Sequence, residues 1–266
     1  MVAFFPSLSD NLRTWALSQP LFFIASAPLN GKHVNVSPKG YPQGCFSIIN
    51  PNLCAYVDRT GSGCETISHV YENGRATLMF CSFGNSPRIM RLFCNARIVE
   101  WDSPDFETWM QRMKLAKVDS ARCIVVCDIF QVQTSCGYSV PKVRKMIADA
   151  DGNLPADVEK QDIGVSGFEE RPTLLFFNSK REREGTAHQY QAEMNTKSLD
   201  GLPGLRAAQR DAGKNVLVER MKAYVRRVLA QSEGIAFGFV MALLVYYALA
   251  LAASAGWGRK GTSTGP

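Results

Sequence analysis

The sequence has no CxxC pair, and its three histidines, His33, His69 and His188, share no ligand spacing with one another or with its eight cysteines. That pattern offers neither a structural zinc site nor a catalytic metal site. The amino terminus, MVAFFPSLSDNLRTW, lacks a basic stretch ahead of a long apolar run. No secretory signal peptide is expected, and reduced cytosolic thiols are the default. Positive charge is also scarce: residues 1–204 hold 21 Lys and Arg against 21 Asp and Glu, so the net +6 comes from nine basic and three acidic residues after position 204. A neutral globular part lacks the basic surface that nucleic-acid binding needs, and no nucleic-acid partner is expected.

Charge is missing altogether from Ile235 to Ala253, IAFGFVMALLVYYALALAA. As a helix this run spans roughly 29 Å, the thickness of a bilayer core. Just before it, residues 214–230 place Leu217, Met221, Tyr224, Val225 and Val228 on one helical face, with Arg220, Lys222, Arg226 and Arg227 mostly elsewhere. This basic amphipathic helix is suited to anionic headgroups. Four basic residues precede the apolar run and only Arg259 and Lys260 follow it. The positive-inside rule then expects a single-pass, tail-anchored protein with its main domain facing the cytosol and the lipid bilayer as a partner of residues 231–256.

What remains is long enough to bury a core. Period-two or continuous apolar runs predict strands over Leu21–Ala27, His33–Ser37, Leu53–Val57, Ala76–Ser82, Ile89–Val99 and Ala121–Gln133. One helix is expected over Cys64–Glu72, stopped by Asn73-Gly74, and a second from Ser103-Pro104 to about Met113. Arg171–Phe177, RPTLLFF, could add a strand, and residues 178–213 read as a polar, turn-rich linker with some docked segments. The cysteines mostly sit in apolar runs, where a thiol packs as a small hydrophobe. Cys123 and Cys127 would lie roughly 13 Å apart along one strand, too far for a disulfide. Six or seven strands with two short helices make a mainly β protein, a small barrel rather than a doubly wound sheet.

Two segments carry polar residues where strands end. In HVNVSPKG, His33, Asn35 and Ser37 share a face ahead of a Pro-Lys-Gly turn. In AYVDRTGSGCETISHVYENGR, a strand ends at Asp58 and the turn Arg59, Thr60, Gly61, Ser62, Gly63 opens into a helix. Backbone N–H groups, two hydroxyls and the Arg59 charge there could cradle a phosphate; the same residues also make an ordinary turn and cap.

The order LFFIASAPLNGKHVNVSPKG, INPNLCAYVDRTGSGCETISHVYENGRATLMF and RIMRLFCNARIVEW resembles the core of the pyridoxamine phosphate oxidase-like family over about residues 15–135. The resemblance implies a split β-barrel that dimerises, with FMN in the cleft between subunits. It places Asn35, Ser37 and Lys39 at the flavin or its phosphate, and Asp58, Arg59, Thr60, Gly61, Ser62 and Gly63 with Thr66 in a phosphate turn. Arg91 would lie near the ring or ribityl chain, or else be a solvated strand residue. His69 could look into the cleft or be an ordinary helix residue.

The sequence departs from the vitamin-processing members. It lacks their compact Arg and Lys clamp and their arginine-rich carboxy-terminal segment, and it carries Cys94 and Asn95 where relatives often have glycine. The expectation is a flavin-dependent oxidoreductase with a small-molecule substrate not yet assigned and no catalytic residue named. A non-catalytic module holding flavin, a deazaflavin or haem is the alternative. The expected layout is a barrel domain over 1–140, an extension and linker over 141–213, the amphipathic helix over 214–230, the membrane helix over 231–256 and a tail over 257–266.

Overall fold

A computed structural model describes residues 2–40, 42–141 and 172–258. The expected tail, with Arg259 and Lys260, lies mostly outside these residues.

The chain runs through β1 (Ala3–Phe5), α1 (Asp10–Leu17), β2 (Leu21–Ser26), β3 (Asn35–Gly40), α2 (Pro42–Cys45), β4 (Phe46–Asn50) and β5 (Leu53–Arg59). Next are α3 (Glu65–Asn73), β6 (Arg75–Cys81), β7 (Ile89–Glu100), α4 (Phe106–Met113) and β8 (Ala121–Ser135). Among the described residues all strands join one antiparallel sheet in the order β3-β2-β6-β7-β8-β5-β4, with β1 added along β8. The sheet curls so that Phe22 of β2 meets Phe46 of β4 and Tyr56 of β5, with ring centroids 5.1 and 5.7 Å apart. Ile24, Leu78, Phe80, Met90, Leu92 and Val125 fill the space so enclosed. A second core lies under α4, where Trp109, Met110 and Met113 pack on Val57, Ile124 and Val126. The two faces explain why β5 and β8 read as nearly continuous apolar runs: both sides are covered.

The fold is thus a curled antiparallel split barrel with short helices. β3 begins at Asn35 rather than His33, and Pro38-Lys39-Gly40 continues the strand instead of turning. An edge strand tolerates that proline, which lacks a ladder N–H. Strand β5 lies where Leu53–Val57 was expected, but its hairpin partner β4 and strand β1 were not expected; their runs are short. α3 ends as predicted on Gly74, at φ 72, whose N–H bonds the Val70 carbonyl. α4 starts at Phe106, later than the Ser103-Pro104 signal, with Asp105 at its cap.

After the barrel come α5 (Pro172–Arg183), α6 (Ala187–Met194) and α7 (Arg206–Asp211). The expected strand at RPTLLFF is therefore corrected to helix. Proline suits a first helical position, the run has no Val or Ile, and the adjoining NSKRER continues it.

The polypeptide divides into two compact units, residues 1–220 and 221–266. The boundary falls within α8 (Val216–Ala230), whose Leu217, Met221, Tyr224 and Val225 are exposed. α9 (Ser232–Gly258) contains the uncharged window Gly234–Ala252, nineteen residues with none of the window buried. It is long and apolar enough to span a bilayer.

Candidate functional site

The curled sheet brings its edge strand β3 against β5 and the start of α3, and polar residues collect along that seam. Asn35, Ser37 and Lys39 lie opposite Ser26, Ile24 and Phe22 in the β2–β3 ladder, so they point to the barrel side. Asn35 donates its amide to the Thr66 hydroxyl at 3.0 Å, and Ser37 donates to Asn35 Oδ1 at 3.1 Å. Lys39 Nζ reaches Asp58 Oδ1 at 2.6 Å.

Asp58 is 2% exposed and is gripped from the other side by Arg122 of β8, through Nε at 2.9 Å and Nη2 at 2.8 Å to Oδ2. Burial alone would raise its carboxyl, but the Arg122 and Lys39 charges and their hydrogen bonds bring it down to about 2. Arg122 also donates to the Gly63 carbonyl at 2.6 Å and the Gly61 carbonyl at 3.4 Å. One guanidinium therefore fixes both the acid and the backbone of the glycine turn.

Within that turn the residues divide. Thr60 is 1% exposed, and its hydroxyl donates to the Ser120 carbonyl and accepts from Gln191. Ser62 and Gly63 are exposed, and a Cβ at Gly61 or Gly63 would meet open space. Arg59 has a buried Nε without a hydrogen-bond partner. At α3, the cap residue Cys64 makes no side-chain capping bond. An orphaned guanidinium N–H beside an open turn at a helix start suits an anionic group.

His69 is fully buried; Nδ1 bonds Ser26 Oγ at 2.9 Å and burial lowers its imidazole. Arg91 stands apart. Its neighbours Met90 and Leu92 are in the core, so its side chain leaves the opposite face of the sheet and donates to Gln133 at 3.2 Å. The structure thus joins Asn35, Ser37 and Thr66, and Lys39 and Asp58, along the seam, with Arg59, Gly61, Ser62 and Gly63 following Asp58 in the chain. It sets Thr60 behind them and Arg91 elsewhere.

The segment after α6 closes over the seam. Asn195 donates to the Gly61 carbonyl, the Leu199 N–H to the Glu65 carboxylate, and Asp200 accepts from His33 Nδ1 at 2.9 Å and from the backbone of Lys32 and His33. A Cβ at Gly31 would lie 2.5 Å from Asp200 Oδ2, which explains glycine there. Beyond Thr60 a cavity of about 520 Å³ opens between α4, the loop after it and α6, walled in part by Ser120, Gln191 and His188. That volume would hold a small molecule.

Arg122, Gln191, Asn195 and Asp200 were not foreseen. Arg122 had a signal, a lone charge at the start of an apolar strand run. The other three come from more than 100 residues away in sequence; Gln191 had no signal, while Asn195 and Asp200 lie in the stretch NTKSLDGLPGL, which also resembles members of the family.

An antiparallel sheet curled on itself, with a polar seam beside a helix start, defines a split-barrel protein. The family model for pyridoxamine 5'-phosphate oxidase matches residues 8–136. A curated relative, the pyridoxamine 5'-phosphate oxidase family protein ustO of Aspergillus flavus, is 49% identical over 214 residues, covering 80% of this chain and 82% of that one. The chain belongs to the pyridoxamine 5'-phosphate oxidase family. Among solved structures it is similar to HupZ of Group A Streptococcus (15% identity, 47% of this chain and 91% of that one, TM-score 0.37). It is also similar to the FAD binding protein of Mycobacterium smegmatis (16% identity, 49% and 97%, TM-score 0.34).

Proposed function

We propose that this protein is an FMN-dependent oxidoreductase that acts on a small-molecule substrate as a homodimer held at a membrane by α9. The observation that carries the flavin reading is the buried, unpartnered Arg59 Nε beside the open Gly61-Ser62-Gly63 turn, in a chain of this family. Arg59 and Ser62 would hold the phosphate with the first turn of α3. Asn35, Ser37, Lys39 and Thr66 would line the flavin side. Asp58, Arg122 and Thr60 form the frame behind them.

FMN, when bound, supplies the redox chemistry. The chain's own part is to bind and orient the group and to exclude water, and a protein nucleophile is not needed. Arg91 is assigned to the outer sheet face, where Phe93 and the exposed Phe130 stack with centroids 6.4 Å apart. An exposed phenyl ring stacked on a half-buried one on the outer sheet face suits a two-fold contact. α9 would cross the bilayer, and the basic residues of α8 would face anionic headgroups and keep the preceding domain cytosolic.

The test is the absorbance spectrum of the purified full chain with mass analysis of the released ligand. A flavin spectrum bleached by NADPH with turnover supports the oxidoreductase reading. A flavin that is never reduced would leave a binding module, a Soret band would mean haem, and a colourless protein that takes up no FMN would overturn the cofactor assignment.

A further inference from the structure

Outside the seam, three thiols converge inside the barrel wall. Cys54 of β5, Cys127 of β8 and Cys94 of β7 come from strands lying side by side. Cys54 and Cys127 are directly opposite in their ladder. Ala96 pairs with Cys127, which sets Cys94 two residues along on the same face. A β-bulge between Phe93 and Cys94 places Cys94 opposite Ile129 and keeps it on the core side; bulges commonly serve to aim a side chain. The three sulfurs all lie within 4.8 Å of one another, the residues are at most 1% exposed, and none is in a disulfide.

Three sulfurs at about 2.3 Å from one metal ion in a trigonal plane stand roughly 4 Å apart. The cluster reaches that arrangement by closing less than about one ångström. The chemistry of the donors selects the ion. The cluster holds three soft sulfurs and no imidazole or carboxylate, and the core around it, including Ile48, Leu92 and Ile129, is apolar. A divalent zinc ion would want a fourth ligand, and its three thiolates would leave a net charge in this core. Copper(I) favours thiolate and thioether-like donors. Bound to one thiolate and two neutral thiols, it leaves the site uncharged.

We propose that Cys54, Cys94 and Cys127 form a binding site for copper(I), independent of the flavin seam. Binding exchanges one thiol proton, released to solvent, for the metal ion, with no change of oxidation state. The ion would cross-link β5, β8 and β7.

The test uses the reduced full chain in detergent, titrated anaerobically with copper(I) against a chromophoric copper(I) chelator. One equivalent is expected to be withheld from the chelator. Cys94→Val and Cys127→Val should each weaken retention at least tenfold, while Cys136→Ser, at an exposed thiol, should not change it. Loss of all copper to the chelator, or parent-like retention by Cys94→Val, overturns the proposal. Should the valine variants fail to fold, X-ray absorption of the copper-loaded parent decides: three sulfurs at about 2.3 Å support the site, and a nitrogen-containing or two-sulfur shell refutes it.

Discussion

Lys39 and Asp58 belong to strands well separated along the sheet path, yet their charged ends are 2.6 Å apart. The contact latches the curl, and Arg122 holds the same carboxylate from behind. Replacing Asp58 by Asn leaves a buried guanidinium without its counter-charge, which costs about 3–5 kcal/mol. A large fall in the denaturation midpoint of Asp58→Asn, and a smaller one for Lys39→Met, checks this.

The same carboxyl gives a pH dependence. Its folded value, about 2, lies below the ordinary 3.8. Its stabilisation is therefore complete above the ordinary value and is lost as pH falls through the folded one, an effect on the order of 2 kcal/mol. Denaturant titrations between pH 5 and 2 should show this decline in the parent, and a shallower one in Asp58→Asn.

For the flavin seam, Arg59→Ala together with Ser62→Ala should weaken FMN binding by about 1–3 kcal/mol, the scale of charge-assisted hydrogen bonds. Flavin fluorescence titration measures it. Unchanged affinity removes the turn from the site.

Gly31→Ala would push a methyl group into Asp200 and unhook it from Lys32 and His33. Hydrogen exchange should rise at Leu199 and Asp200 by tenfold or more, with the barrel strands unchanged. Equal protection in both proteins would show that the contact is not what holds the segment down.

Phe130→Asp places a charge at the exposed ring that stacks on Phe93. Sedimentation should then report a monomer where the parent sediments as a dimer. A separate truncation after residue 230 should leave the protein in the supernatant after alkaline carbonate extraction; retention in the membrane fraction would count against α9 as the anchor.

Much of the barrel was legible because alternation survives wherever one face is wet: Met90, Leu92 and Cys94 are buried between half-exposed neighbours. Gly74 marked the end of α3 because a left-handed residue is cheapest as glycine. The run Leu174–Phe177 misled because four apolar residues fit either period, and only the polar stretch from Asn178 to Arg183 extends the segment to helical length. In the seam, Asn35 and Ser37 were readable as a polar face of a strand, whereas Lys39 read as part of a turn because Pro38 precedes it and Gly40 follows. That Thr60 turns inward was not, because its partners Ser120 and Gln191 come from a loop and a helix far along the chain. Packing partners that distant leave no local trace in composition.

Pro38 sits in the outermost strand of the sheet, across from Phe23. A rim interrupted by an imino acid is a poor template for another chain's backbone, so copies crowded at high density would be steered away from fibrous stacking. Encounters between molecules are then left to side-chain surfaces, which can be reversible and limited in number.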